Sequence, residues 1–313
     1  MTKIAIIQRP PVLLDRSATI ARAVQSVAEA AAAGASLIVL PEQFSPGYPT
    51  WIWRLAAGRD GALMGQLHAR LLANAVDIAN GDLSELCEAS RVHAVTIVCG
   101  INECDRRHGG GTLYNSVVVI GANGEVLNRH RKLMPTNPER MVHGVGDASG
   151  LRTVDTPVGR IGALICWESY MPLARYALYA QGVEIYIAPT YDSGDDWICT
   201  MRHIALEGRC WVLGSGTLLR GSDIPDDFPA RMQMFPDPQE WINDGDSVVV
   251  SPQGRVTAGP LHREAGILYA DIDVSLVAPA RRALDVTGHY ARPDIFELQV
   301  RRTPATAVHY IDK

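Results

Sequence analysis

One cysteine of the chain lies where a buried strand is expected to end. The apolar run from Ile161 to Ile165 stops at Cys166, and an amphipathic helical pattern begins shortly afterwards. In open α/β sheets, ligands and catalytic groups gather at the carboxyl ends of the strands, and a thiol beside a helix amino terminus is favoured as the thiolate. The same position also suits a buried, inert cysteine, which is the usual state of a free thiol.

Glu42 occupies a similar position in the amino-terminal part of the chain. It directly follows Pro41, which ends a predicted buried strand over residues 37–40. A carboxylate there is poorly solvated, which raises its pKa toward the range of a general base. Alternatively, Glu42 caps the turn that follows the strand.

Lys132 is the third candidate for a catalytic role. It follows a predicted hairpin and precedes Leu133, Met134 and Pro135, an apolar stretch that would draw its ammonium group toward the interior. An ammonium group beside a thiol and a carboxylate could stabilise negative charge on a substrate. Glu139 lies one loop further on, where it either orients the lysine or pairs with a surface arginine.

Histidine is the usual alternative base for a cysteine nucleophile. No local motif ties any histidine to Cys166, and each is more typical of a packed or hydrogen-bonded side chain than of a base. A glutamate at a strand end is therefore favoured as the base. The histidines considered are His130, His143, His203 and His289.

Composition excludes several classes of function. The net charge is −5 and the pI is near 6.0, which argues against binding to the phosphate backbone of nucleic acid. The chain has neither paired Cys/His spacing nor an apolar run of membrane-spanning length, so we expect no metal, no cofactor and no membrane span. It also lacks a signal peptide and a CxxC pair, which predicts a cytoplasmic protein with free thiols.

The pattern of the chain predicts an α/β fold. A β-α-β opening, several hairpins and interleaved amphipathic helices indicate two mixed sheets with helices on the outer faces, a four-layer α-β-β-α sandwich. Residues 1–285 are expected to form one catalytic domain, and residues 286–313 a C-terminal extension. A strand over residues 183–188 is expected to stop at Pro189, and residues 221–241 to form a long loop.

The unit formed by residues 4–40 is weakly echoed by residues 161–188. Each reads as strand, helix and strand, followed by a proline. Two related halves are therefore expected, although such similarity is common among buried strands.

Three short segments carry a resemblance to a known family. They are Pro41-Glu42, His130-Arg-Lys132-Leu-Met-Pro-Thr, and Leu164-Ile-Cys166-Trp-Glu-Ser-Tyr. In order and spacing, this set resembles the nitrilase superfamily of carbon–nitrogen hydrolases and its Glu-Lys-Cys triad. Further segments, at residues 44–49, 138–142, 144–147, 201–208 and 285–294, resemble the true nitrilase branch.

This resemblance implies roles for four residues. Glu42 would be the general base, Lys132 the charge stabiliser, Cys166 the nucleophile, and Glu139 a fourth residue that positions them. The implied reaction converts an organic nitrile into a carboxylic acid and ammonia through a cysteine thioimidate and thioester.

The chain departs from the nitrilase pattern at two positions. His143 stands where nitrilases usually carry Trp, and Ser169 where they often carry Asn. Both lie close in sequence to the implied active site, so the departures leave substrate size and the acid-to-amide ratio open.

Four residues near the same rim are predicted to line a substrate pocket. They lie at strand ends or in loops, and three are aromatic, a type that is also common in cores and interfaces. They are Tyr48, Trp167, Thr190 and Trp197.

Two other functions remain open at this point. One is an amidase or carbamoylase that uses the same triad on an amide. The other is a non-catalytic binding or scaffold protein, against which the intact triad argues. The resemblance also implies a homodimer or larger homo-oligomer, in which Trp51, Trp53 and Trp241 would be interface anchors or merely core. The kind of nitrile, whether aliphatic, aromatic, arylaceto- or cyanide, is left undecided.

Overall fold

The chain begins with the β-α-β unit that its sequence predicts. Strand β1 (Thr2–Gln8), helix α1 (Arg16–Ala32) and strand β2 (Leu37–Val39) follow one another, and the two strands pair in parallel. The side chain of Asp15 accepts a hydrogen bond from a backbone N–H of the first turn of α1, which starts the helix. After its last turn, Gly34 has a φ of 89°, which suits a helix end.

The structure is a computed structural model that describes residues 1–106, 109–304, 308 and 311. The remaining strands are β3 (Thr96–Cys104), β4 (Leu113–Ile120), β5 (Val126–Arg131), β6 (Val154–Thr156), β7 (Gly159–Ala163), β8 (Ile185–Thr190), β9 (Trp211–Gly216), β10 (Leu218–Arg220), β11 (Trp241–Val250), β12 (Val256–His262) and β13 (Gly266–Ile272). The remaining helices are α2 (Gly61–Asn74), α3 (Ser84–His93), α4 (Pro172–Tyr179), α5 (Asp195–Gly208), α6 (Arg231–Met234) and α7 (Val277–Ala283).

The strands of the described ranges form two mixed sheets. The first has the order β13-β1-β2-β3-β4-β5, and the second has the order β10-β11-β9-β8-β7-β6, with β12 paired to β11. The central strands of each sheet are parallel and the outer pairs are antiparallel. Parallel neighbours need a crossover connection, and helices supply it in both sheets.

An apolar core lies between the two sheets. Ile4, Leu37 and Val98 of the first sheet belong to the same buried cluster as Ile161 and Ile185 of the second. Such interdigitation of two inner faces is the usual way in which stacked sheets bury their apolar sides.

Helices cover the outer face of each sheet. On the first sheet, Ile20 of α1 and Leu86 of α3 belong to a cluster with strand residues such as Ile38. On the second, Leu178 of α4 and Met201 of α5 pack with residues of β8 and β9. The layers are therefore α-β-β-α, and the predicted fold class is confirmed.

The prediction that Pro189 ends its strand is wrong. Strand β8 runs through Pro189 to Thr190, and both residues pair with β9. Because β7 on the other side of β8 ends at Ala163, no further ladder hydrogen bond is needed from Pro189 there.

The region around residues 221–241 is only partly a loop. It contains the short helix α6 and is flanked by strands β10 and β11. Strand β11 begins at Trp241, at the end of the predicted loop. Polar residues and Gly245 interrupt the apolar alternation at the start of β11, so its first half escapes a pattern-based prediction.

The predicted C-terminal extension begins after α7. Residues 284–304 form no helix or strand, and Val286 and Leu298 pack against the cluster under α4 and α5. Residues 305–307, 309–310 and 312–313 of that prediction lie outside the described residues.

Candidate active site

Glu42, Lys132 and Cys166 each follow the carboxyl end of a strand. The strands concerned are β2, β5 and β7. Strand β5 runs in the same direction as β2, because β4 is antiparallel to both β3 and β5. These ends therefore meet at one edge of the fold, and all three side chains are buried there.

The Glu42 carboxylate is held by three donors. The ammonium group of Lys132 lies 2.9 Å from Oε1, and the side-chain amide of Asn115 donates to the same oxygen at 2.6 Å. The backbone N–H of Tyr191 donates to Oε2 at 2.6 Å. Because these donors come from different strands and loops, both sheets fix the orientation of this carboxylate.

Glu139 holds the other side of the lysine. It lies in a short 3₁₀ helix (Asn137–Met141), and its oxygens accept from the Lys132 ammonium at 3.0 and 2.8 Å. The Tyr48 hydroxyl donates to Oε1 at 2.8 Å, and the backbone N–H of Thr136 donates to Oε2 at 2.9 Å. The alternative that Glu139 pairs with a surface arginine does not describe this structure, because the carboxylate is buried against the lysine.

Cys166 is the first residue of a 3₁₀ helix (Cys166–Tyr170) and has a φ of 52°. A non-glycine residue in this left-handed region is uncommon, and such strain clusters at functional sites. Burial raises the pKa of the thiol, and Glu42 raises it further, against Lys132 and a hydrogen bond with the Thr190 side chain. The expectation that a helix amino terminus would favour the thiolate is therefore wrong, because the resting thiol is neutral and needs a base.

The pKa values of Glu42 and Glu139 are shifted in opposite directions. Burial raises the pKa of Glu42 above its ordinary value of 4.5. Burial also acts on Glu139, but Lys132 and other neighbours hold its pKa below that value. Burial alone would lower the pKa of Lys132, but the carboxylates of Glu42 and Glu139 raise it well above its ordinary range. A permanent cation thus lies between a carboxylate that stays ionised and one that can take a proton.

Glu168 is a residue of the site that sequence reasoning missed. Its carboxylate accepts from the backbone N–H of Leu133 and that of Ile165, both at 2.7 Å. It therefore ties together the two segments that carry Lys132 and Cys166. The ring of His130 lies 3.1 Å from the same carboxylate, which explains the burial of that histidine without a role as base. The only sequence feature that could have pointed to Glu168 is its position two residues after Cys166.

Tyr48 and Thr190, two of the predicted substrate-binding residues, lie deep in the site. Tyr48 is buried, and its ring stacks on that of Tyr191 with 3.7 Å between centroids. Thr190 is buried at the end of β8, beside Cys166. The structure thus brings both residues to the carboxylates and the thiol, and their contact with a substrate stays a prediction.

The other two predicted residues differ strongly in exposure. Trp167 is 51% exposed, and its indole N–H donates to Asp192 at 2.8 Å. Trp197 is fully buried in the core cluster beneath α5, where its ring meets that of Tyr170 edge-on. Trp167 therefore lies at the surface next to Cys166, whereas Trp197 lies in the core. Their roles in binding also stay predictions.

The two residues that depart from the family pattern are both enclosed. His143 Nε2 lies 2.9 Å from the side-chain oxygen of Asn102, and burial lowers the pKa of the imidazole to about 4. The hydroxyl of Ser169 lies 3.0 Å from that of Tyr186. His143 is therefore neutral at physiological pH, and Ser169 is occupied within the protein.

The described part of the chain contains no group of three or more His, Cys, Asp and Glu side chains suited to a metal ion. Among the same residues, none of the helices has both the length and the apolar character needed to cross a bilayer. All six cysteines are free thiols.

Comparison with known proteins places this site in a family. The sequence profile of the carbon–nitrogen hydrolase family matches residues 3–282. The chain is 42% identical over 311 residues to an aliphatic nitrilase of Sinorhizobium fredii, covering 98% of this chain and 99% of the relative. It is 38% identical over 315 residues to nitrilase 1 of Arabidopsis thaliana, covering 99% of this chain and 90% of that protein.

Solved structures of more distant proteins share the fold. A carbon–nitrogen hydrolase from Helicobacter pylori is 20% identical, with a TM-score of 0.71 over 94% of this chain and 96% of that one. An amidase from a Nesterenkonia species is 20% identical, with a TM-score of 0.65 over 90% and 97% of the two chains. The chain belongs to the carbon–nitrogen hydrolase family, as its motifs indicate.

Proposed function

We propose that this protein is a nitrilase, which hydrolyses an organic nitrile to a carboxylic acid and ammonia. The observation that carries the proposal is the buried arrangement of Glu42, Lys132 and Glu139 around the Cys166 thiol. The near full-length similarity to curated nitrilases supports a nitrile as the substrate. We assign Cys166 as the nucleophile, Glu42 as the base, Lys132 as the charge stabiliser and Glu139 as the residue that positions the lysine.

In the first step, Cys166 attacks the nitrile carbon. Glu42 takes the thiol proton as the carbon–sulfur bond forms and passes it to the nitrile nitrogen, which gives a neutral thioimidate and leaves Glu42 ionised for the next step. The neutral thiol needs this base because burial raises its pKa. Covalent attack divides one difficult hydrolysis into easier steps.

In the second stage, a water activated by Glu42 adds to the thioimidate carbon. The tetrahedral intermediate expels ammonia and leaves a thioester, and a second water hydrolyses this to the acid and the free thiol. If the intermediate expelled the thiol instead, the product would be an amide. The acid-to-amide ratio therefore depends on which leaving group is better protonated.

Lys132 stabilises the negative charge that develops on the substrate nitrogen and later on oxygen. Its pKa is raised well above the ordinary range by the surrounding acidic groups, so the ammonium is permanent. The backbone N–H of Trp167 is assigned as a second donor. Removing one donor of this kind typically costs about 10²-fold or more in rate.

Further proposals concern substrate contacts and the setting of the protein. Tyr48, Thr190, Trp167 and Trp197 are proposed to shape the substrate pocket. We propose that residues 1–285 act as one catalytic domain, in a cytoplasmic homodimer or larger homo-oligomer. Trp51 is fully buried and therefore belongs to the core, whereas Trp53 is half-exposed and remains a candidate interface anchor.

The experiment is a panel of nitriles and their matching amides. Ammonia and carboxylic acid are measured for aliphatic, aromatic and arylaceto-nitriles and for cyanide. A nitrilase releases ammonia and acid from at least one nitrile faster than from the corresponding amide. Release from amides alone would contradict the proposal and favour the amidase alternative, whereas no release from either would favour a binding protein.

A further inference from the structure

The residues that join strand β8 to helix α5 form part of the site. We call residues 191–194 the rim loop. Its first residue, Tyr191, donates a backbone N–H to Glu42 at 2.6 Å. The backbone N–H of Asp192 donates to the Thr190 hydroxyl at 2.8 Å, and the Asp192 carboxylate accepts from the Trp167 indole. The conformation of this loop therefore orients the base, the threonine beside the thiol, and the exposed tryptophan.

Strand β11 holds the rim loop at both ends. At one end, the side-chain amide of Asn243 donates to the backbone oxygen of Tyr191. At the other, the backbone N–H of Gly194 donates to Asp246 Oδ2 at 2.9 Å. Gly194 is the N-cap residue of helix α5, so the carboxylate lies at the positive end of that helix.

Asp246 is placed for this contact by an irregularity of its strand. Register with β12 shifts between Gly245 and Ser247, and Asp246 has a φ of 61°. A bulge of this kind redirects a side chain, and aspartate tolerates the left-handed conformation better than most residues. The carboxylate is only 3% exposed, so its partners must be supplied by the protein.

The second partner of Asp246 is His262, at the end of β12. The ring atom Nδ1 lies 2.7 Å from Oδ1, and since a carboxylate only accepts, Nδ1 carries the proton. The imidazole is 55% exposed, so one face of the pair meets solvent while Asp246 is enclosed. The carboxylate thus connects an exposed histidine to Gly194, the N-cap residue of α5.

Other charged groups surround this pair. Arg263 and Asp244 lie on the same hairpin and pair with each other at 2.9 Å, and the Asp246 charge acts on Arg263. Asp195 and Asp196 lie in the first turn of α5. Arg263 and the amino terminus of α5 therefore lie among four acidic side chains, those of Asp244, Asp246, Asp195 and Asp196.

We propose that Asp246 and His262 form a clamp that positions the rim loop for catalysis. The clamp acts through the rim loop, because neither residue is assigned contact with the nitrile. This inference rests on the proposed function, since the loop orients the groups to which that function assigns chemistry. The mechanism above uses neither residue.

The clamp predicts a specific change in the behaviour of Glu42. The N–H of Tyr191 favours the ionised carboxylate, so a displaced rim loop raises the pKa of Glu42 further. The acid limb of kcat/KM then moves to higher pH. A purely structural role of Asp246 would lower stability without moving this limb.

Glycine and asparagine variants at position 246 test the clamp without backbone strain. Asp246→Gly removes the carboxylate where glycine accepts the positive φ, and we expect kcat to fall about tenfold with KM nearly unchanged, a typical effect of losing a charged hydrogen bond. Asp246→Asn keeps an acceptor, so its kcat should lie between the values of the wild type and the glycine variant. In His262→Ala, kcat should fall about threefold. In His262→Asn, which keeps a donor near the position of Nδ1, kcat should stay close to that of the wild type.

Two matched controls use groups that do not touch the rim loop. His203→Ala removes another exposed histidine that pairs with a carboxylate, on α5 itself. Asp244→Asn removes another carboxylate of β11. Both should keep the wild-type rate and acid limb. Equal effects in the controls and in the clamp variants would overturn the proposal.

The closing measurement is the pH dependence of Cys166 alkylation by iodoacetamide, run beside the nitrile assay. In Asp246→Gly and His262→Ala, the acid-side midpoint should move up by about half a unit to one unit. An unmoved midpoint overturns the clamp, even if stability falls. Alkylation needs no nitrile, so failure of wild type to release ammonia refutes the proposed function alone. If Asp246→Gly does not fold, the asparagine and His262 variants give the same decision.

Discussion

The two β-α-β units of this protein both bury a side chain of the site, but they differ in the exposure of the residues that follow it. In the first, which we call the closed half (residues 2–52), every residue from 41 to 52 is buried around Glu42. In the second, the open half (residues 159–194), Cys166 is followed by Trp167 and Tyr170, which are 51% and 44% exposed. The same supersecondary unit thus surrounds Glu42 with buried residues in one half and places exposed residues soon after Cys166 in the other.

This difference separates two tasks of the site. Burial in the closed half raises the pKa of Glu42, as its proposed role as the base requires. In the open half, we expect a small molecule to approach Cys166 from the side of the exposed residues that follow it. Variants of the closed half should therefore change rate and pH dependence, whereas variants on the exposed rim of the open half should change substrate binding.

The largest effect is expected from Cys166→Ala. Ammonia release should fall by roughly 10⁵-fold or more, because the covalent route is lost while the fold is retained. Cys99→Ala is the matched control, since Cys99 is a buried thiol of β3 whose pKa burial raises to about 12. The control should keep its activity. Residual turnover in Cys166→Ala, measured with the best nitrile, would remove this residue as the nucleophile.

Glu42→Gln should be next in size, with a loss of about 10³-fold in kcat, within the usual contribution of a general base. In wild type, activity should fall as pH drops through the Glu42 pKa, which lies above its ordinary value of 4.5. This acid limb should be absent from any residual activity of the variant.

Glu103→Gln is the control for a buried carboxylate. Glu103 lies in the same sheet but pairs with Arg129 and Arg131 away from the thiol. It should lose stability rather than rate. A Glu42→Gln enzyme with a normal pH–rate profile would show that the closed half does not supply the base.

Lys132→Met should lower stability as well as rate. It leaves Glu42 and Glu139 buried without a cation, and breaking a buried pair typically costs about 3 to 5 kcal/mol. In the variant, both carboxyl groups should have folded-state pKa values above their unfolded ones. Stability should therefore decrease as pH rises through those folded values.

Urea unfolding of Lys132→Met at pH 5 and pH 8 measures this dependence. The variant should lose more free energy of unfolding, relative to wild type, at pH 8 than at pH 5. An equal loss at both values would mean that the lysine does not compensate the two charges.

Trp167→Ala tests the open half and should have the smallest effect. Its side chain lies at the surface next to Cys166, so KM should change by about two- to tenfold, in line with the loss of part of an apolar contact. The value of kcat should stay within about twofold. A large change in the acid limb instead would mean that the two halves are not separated in this way.

Much of this arrangement could be predicted from the sequence, because strand ends are local signals. Glu42 and Cys166 each follow a short apolar run in the sequence, and in the structure these runs are the strands β2 and β7. The two-sheet architecture followed from alternating helices, parallel strands and hairpins.

The supporting contacts could not be predicted in the same way. Tyr191 reaches Glu42 across 149 positions of the chain, and Asp246 reaches Gly194 across 52. The first contact depends on how the two sheets stack, and the second on the order of strands within one sheet. Local sequence patterns predict neither. The pKa of Cys166 was predicted in the wrong direction for the same reason, because its burial arises from tertiary packing.

The most direct measurement is to mix the enzyme with a nitrile, quench it in acid within one turnover, and map the peptides by mass spectrometry. A covalent adduct carrying the nitrile carbon should appear on Cys166, and its formation should be lost in Glu42→Gln. An adduct on another cysteine, or ammonia release with no adduct at any time, would contradict the account.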